Sequence, residues 1–86
     1  MMPHDLFECK LKFNMEAGLL TREPARRFLQ QVRDDIRGED ARAVVDIDER
    51  RGWLGSHFTF KAVFTADEAY ADDLKARIEA TARRYA

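Results

Sequence analysis

RRGWLGSHFTF, residues 50–60, holds a tryptophan and a leucine between two glycines and then enters a segment in which alternate residues are aromatic. The fold turns on which way those aromatics point. From His57 to Thr65 one side carries Phe58, Phe60, Ala62 and Phe64, and the other His57, Thr59, Lys61 and Val63. Strict alternation is the mark of a half-buried strand. Turning the phenylalanines outward would drive Lys61 into the interior, and an unpaired buried charge costs several kcal/mol on an order-of-magnitude basis. The aromatic side is therefore the core side, and the segment is a strand rather than an apolar platform.

Upstream, about Arg42 to Arg50 alternates in the same way, with Ala43, Val45 and Ile47 inward. Keeping the apolar sides together leaves few hairpin registers. One pairs Val44 with Val63 and Asp46 with Lys61, both favourable; the next sets Val44 against Lys61 and Asp48 against His57 and is poorer. The first makes GWLG, residues 52–55, a four-residue loop with Trp53 and Leu54 at its tip and glycines free to take positive φ at its ends. Near the start, Leu6 to Met15 alternates Phe7, Cys9, Leu11, Phe13 and Met15 with Glu8, Lys10, Lys12 and Asn14, a further strand.

Two helices complete the order. One begins near Arg22, capped either by Thr21, with Leu20 and Ala25 as a hydrophobic staple, or by Glu23 with Pro24 as the first helical residue. Ala25, Phe28, Leu29, Val32 and Ile36 form its apolar stripe, and Gly38 suits a left-handed terminator. The other opens at TADE, residues 65–68, which has the spacing of a capping box, and carries Tyr70, Leu74, Ile78 and Tyr85. Strand, helix, strand, strand, helix, with a right-handed crossover, places the third strand between the other two and both helices on one face. The expectation is a single α+β domain over residues 1–86, a ferredoxin-like split βαββα unit without a last strand, sheet order 1-3-2. Residues 1–5 are expected to fray. Phe13, Phe28, Phe58, Phe60, Phe64, Leu74 and Ile78 should make one core.

LFECKL (residues 6–11) and GSHFTF (residues 55–60) resemble the first- and third-strand motifs of RNA recognition motifs, whose element order the chain follows almost to its end. The resemblance implies stacking aromatics on the open sheet face, here Phe7, Phe58 and Phe60. That phase would bury Glu8, Lys10 and Lys61, and the family's final strand is missing, so the resemblance is not carried further.

Apolar residues make up 45% and charged residues 36% of the 86, with a formal net charge of −1, so no overall field draws the protein to nucleic acid or anionic lipid. The start of the chain lacks the pattern of a secretion signal, no stretch approaches spanning length, and no membrane association is expected. Cys9 is the single cysteine; it fits a reducing cytosol and sits on an inward position, where a thiol is inert. Asp46, Asp48 and His57 could be assembled as a metal or acid–base set, but Lys61 and Arg50 are their ordinary cross-strand partners and no third ligand presents itself. His4 has nothing placing it near His57. The scattered glycines match no phosphate or dinucleotide loop. No catalytic residue, metal or cofactor is expected.

Two surfaces remain. Trp53 and Leu54 make an apolar hairpin tip, with Arg50, Arg51 and His57 as a polar rim: a partner-binding surface if the indole stands free, a stability element if it folds back on the sheet edge. Arg22, Arg26, Arg33 and Arg37 run along one side of the first helix and would be the surface for nucleic acid. Unpaired sheet edges without an internal proline point to a homodimer. The function expected is a small cytosolic, non-catalytic protein-interaction module that self-associates and also binds an unidentified protein partner; the alternative is a nucleic-acid-binding accessory protein using the arginine stripe.

Overall fold

A computed structural model describes residues 5–85. The alternating segments form β1 (Phe7–Gly18), β2 (Val44–Arg51) and β3 (Gly55–Ala66), and the periodic segments form α1 (Arg22–Glu39) and α2 (Glu68–Ala82). They occur in the order β1-α1-β2-β3-α2 and build one antiparallel sheet with β3 in the centre, β1-β3-β2. The fold is the expected ferredoxin-like split βαββα. Residues 1–4 of the 1–5 expected to fray, His4 among them, fall outside the described residues.

Phase explains the layering. Met15 and Ala17 of β1 and Phe58, Phe60, Phe64 and Ala66 of β3 are buried in one cluster with Ala25, Leu29, Val32 and Ile36 of α1 and Leu74 and Ile78 of α2. Both helices therefore cover the same sheet face, and Phe60 at its centre has no exposed surface. The hairpin register is the preferred one: Val44 lies opposite Val63, Asp46 opposite Lys61 and Arg50 opposite His57.

Phe13 and Phe28 are only half buried, a correction to the expected core. Phe13 stacks on Phe60 with ring centroids 5.0 Å apart, but β1 is an edge strand and no described element pairs with its outer edge. Phe28 leaves the centre of the α1 stripe to meet Tyr85 at 6.0 Å. Phe7 has the inward phase yet is mostly exposed, because it lies at the far end of β1, opposite Ala66.

The helix ends depart from expectation for a common reason: nearby groups offer better partners. The Thr21 hydroxyl donates to the Tyr85 carbonyl at 2.8 Å and accepts from the Gly18 N–H at 2.8 Å, so it ties the β1–α1 turn to the end of the chain instead of capping α1. Leu20 stays in solvent and forms no staple. Gly38 lies within α1, and Asp40 ends the helix in an extended conformation. Its carboxylate accepts the N–H groups of Arg42 (3.0 Å) and Thr65 (2.9 Å), filling the place beside β3 where β2 has not begun. These bonds hold its pKa below the ordinary value. Thr65 remains in β3, and α2 is capped by Asp67, which accepts the Tyr70 N–H at 2.7 Å, so the TADE capping box does not form.

Candidate interaction site

β1 and β3 end together, with Gly18 opposite Gly55, and the β2–β3 ladder closes at Arg51 opposite Ser56. Two turns consequently emerge from one end of the sheet: Leu19–Leu20–Thr21 leading into α1, and Gly52–Trp53–Leu54–Gly55 joining the hairpin. Trp53 is 95% exposed and Leu54 86%, which settles the orientation of the indole: it does not fold back. Leu19 and Leu20, at 61% and 91%, stand at the same end. The sequence reading missed this pair, because only the strand register shows that the two turns are neighbours.

The tip is held from below. The Gly52 N–H donates to the Gly55 carbonyl at 2.8 Å, and Arg22, the first residue of α1, donates to the Gly52 carbonyl at 3.0 Å. Of the two hairpin glycines only Gly55 has positive φ, and it is glycine because of the strand beside it. A Cβ there would lie 2.0 Å from the Ala17 carbonyl oxygen, with Gly18 backbone behind it.

Arg50, Arg51, Trp53, Leu54 and His57, the five residues selected from sequence, line one open groove of about 510 Å³. Glu16 and Ala17 of β1 complete it, a contribution visible only once β1 is paired with β3. His57 and Arg51 among its polar groups have partners in the fold. His57 Nδ1 lies 3.2 Å from Glu16, and Arg51 lies 3.8 Å from Glu49.

Below the groove an ionic cluster seals the core. Glu49 has the inward phase of β2; its carboxylate accepts from Arg26 at 2.8 and 2.9 Å and from the Ser56 hydroxyl at 2.7 Å. Arg26 also pairs with Glu23. The Arg26 guanidinium, more than the Ser56 hydroxyl and against the opposing effect of burial, pulls the Glu49 carboxyl down to about 2.

This cluster changes the character of the arginine stripe. Arg26 is joined to β2 and Arg22 to the hairpin loop, while Arg33 contacts Asp34 at 3.4 Å. Only Arg37 of the four has no such contact among the described residues. Asp46 and Asp48 lie on the open sheet face with Lys61 and Thr59 opposite, and the described residues contain no group of three or more His, Cys, Asp and Glu side chains placed to hold a metal. Cys9 is a half-buried free thiol on β1. No described helix is long and apolar enough to cross a membrane. Comparison with models of protein families, with curated proteins and with solved structures finds no match to the chain.

Proposed function

We propose that the chain is a small cytosolic, non-catalytic protein-interaction module that self-associates through an exposed sheet edge and recognises a protein partner at the hairpin end. The observation that carries this reading is the exposed tip of Trp53 and Leu54 over a braced loop. A large aromatic on a loop whose backbone is braced has less main-chain freedom to lose on binding, and tryptophan is enriched among residues that dominate interfaces. The matching partner presents an apolar pocket for the indole and carboxylates for Arg50 and Arg51. The polar side chains at the groove, His57 beside Glu16 and Arg51 near Glu49, suit an orienting rim. The free Cys9 thiol fits a reducing compartment. The alternative, nucleic-acid binding through Arg22, Arg26, Arg33 and Arg37, is weakened by the contacts that occupy three of them.

Trp53→Ala tests the reading. With 95% of the residue exposed, truncation uncovers only about 10 Å², or about 0.3 kcal/mol at roughly 25 cal/mol per Å². Partners captured from native cells by the wild-type chain should be lost with Trp53→Ala, while the unfolding midpoint barely moves. Capture that survives the substitution, or a stability loss of about 3 kcal/mol, refutes the tip as anchor. Capture that collapses as salt rises and is abolished by reversing Arg33 and Arg37 would instead establish the nucleic-acid alternative.

A further inference from the structure

We infer that the outer edge of β1 pairs antiparallel with β1 of a second copy, about a two-fold axis through Phe13, in a register that sets Lys10 against Glu16 of the second copy. This deepens the self-association part of the proposed function and rests on it. Four observations lead to it.

The first is topological. β1 pairs with β3 on one side only, and its other side is the position that a fourth, antiparallel strand would occupy in a complete split-βαβ sheet. The core is open there: a cleft of about 240 Å³ between β1 and α2 is lined by Cys9, Leu11, Ala71 and Lys75 and reaches the core residues Phe64 and Leu74. Leu11 and Phe13 are half buried although they face the helix layer. An added strand would continue the apolar row that this side lacks.

The second is charge. Residues directly opposite in an antiparallel pair point to the same face. With Phe13 opposite itself, the open face pairs Lys10 with Glu16 and Lys12 with Asn14, each twice by symmetry. The helix face pairs Leu11 with Met15 and Cys9 with Ala17. Moving the axis to Lys12 would oppose Lys12 to itself and Glu8 to Glu16, the latter twice by symmetry, three like-charge contacts.

The third is the distribution of exposed apolar residues. The same register brings Leu6 and Phe7, 66% and 53% exposed, level with Leu20 and Leu19 of the second copy, 91% and 61% exposed. Shifting the axis the other way, to Asn14, keeps an acid–base pair but sets Glu8 beside Leu20 of the second copy. Charge excludes the register about Lys12 and apolar exposure the one about Asn14, which leaves the alignment about Phe13.

The fourth concerns the competing edge. On the open face β2 carries Asp46 and Asp48, so two-fold registers about Asp46, Ile47 or Asp48 set one aspartate against another, and one about Glu49 sets that carboxylate against its own copy. β2 is the protected edge. A head-to-tail union of β1 with β2 of the next copy would match Lys12 with Asp46, but it does not close and would grow filaments.

Sedimentation equilibrium of the full chain, with Lys10→Glu and the exchange Lys10→Glu/Glu16→Lys, tests the inference. Both side chains are exposed, and circular dichroism should report an unchanged fold. The wild type should form a dimer, Lys10→Glu should weaken it roughly tenfold or more by turning two attractive pairs repulsive, and the exchange should restore it. A dimer insensitive to Lys10→Glu, or one not restored by the exchange, overturns the β1 register while leaving self-association standing. A wild type that stays monomeric to millimolar concentration overturns self-association itself. Filaments dispersed by Asp46→Lys would establish the head-to-tail union instead. Trp53→Ala should leave the dimer intact, which separates this edge from the partner surface at the hairpin.

Discussion

Replacing Glu49 by glutamine removes the charge from the only carboxylate placed on the core side of β2. In the native chain that carboxylate is 17% exposed and takes three hydrogen bonds, two from Arg26 and one from Ser56. Its pKa is lowered from 4.5 to about 2 by these partners, chiefly Arg26. The folded value lies below the unfolded one, so the contribution is complete above about pH 5 and is lost as pH falls through the window down to about 2. One group releases at most about 1.4 kcal/mol per pH unit. Because Arg26 is still 25% exposed and solvent screens the pair, about 1–2 kcal/mol is the contribution to expect. Glu49→Gln keeps an acceptor for Ser56 but leaves Arg26 without a charged partner on the sheet, which should cost about 1–3 kcal/mol at pH 7. Urea unfolding followed by far-ultraviolet circular dichroism at intervals from pH 7 to 2 measures both; the exposed Trp53 makes fluorescence a poor reporter. The variant's stability should vary less with pH, and the two curves should converge near the acid limit. Asp40, also lowered, gives both proteins a shared residual slope. Parallel curves from pH 5 to 2 would refute the assignment of this linkage to Glu49.

Phe60, with no exposed surface at the centre of the sheet, should lose about 3–5 kcal/mol on truncation to alanine, read by the same denaturation; less than about 1 kcal/mol would remove it from the core. Gly55→Ala should cost about 2–4 kcal/mol, because its Cβ would lie 2.0 Å from the Ala17 carbonyl oxygen and only backbone movement relieves the overlap; faster amide exchange around Ala17 and Gly18 should accompany it. Asp67→Ala should cost about 0.5–2 kcal/mol through the lost cap of α2, whereas Thr65→Ala should leave that helix end unchanged, the reverse of what the TADE spacing suggests.

Patterns in the chain were sufficient for the element order, the sheet order and the hairpin register, because each rests on a local constraint. Alternation in HFTFKAVFT could be satisfied by one sheet face only, and Val44 opposite Val63 with Asp46 opposite Lys61 left one preferred alignment. The groove residues Arg50, Arg51, Trp53, Leu54 and His57 were legible for the same reason, since all five flank one turn. What required the tertiary structure lies far apart in sequence. Leu19 and Leu20 join the end that carries Trp53 only because Gly18 and Gly55 are paired. By sequence Arg26 belongs to the arginine stripe of α1, and only packing brings Glu49 within 2.8 Å of it, since an inward carboxylate on a strand gives no local sign of which helix will neutralise it. The caps followed the same rule: Thr21 and Asp40 found partners at Tyr85 and Thr65, so their roles were decided by the closing of the fold rather than by the residues beside them.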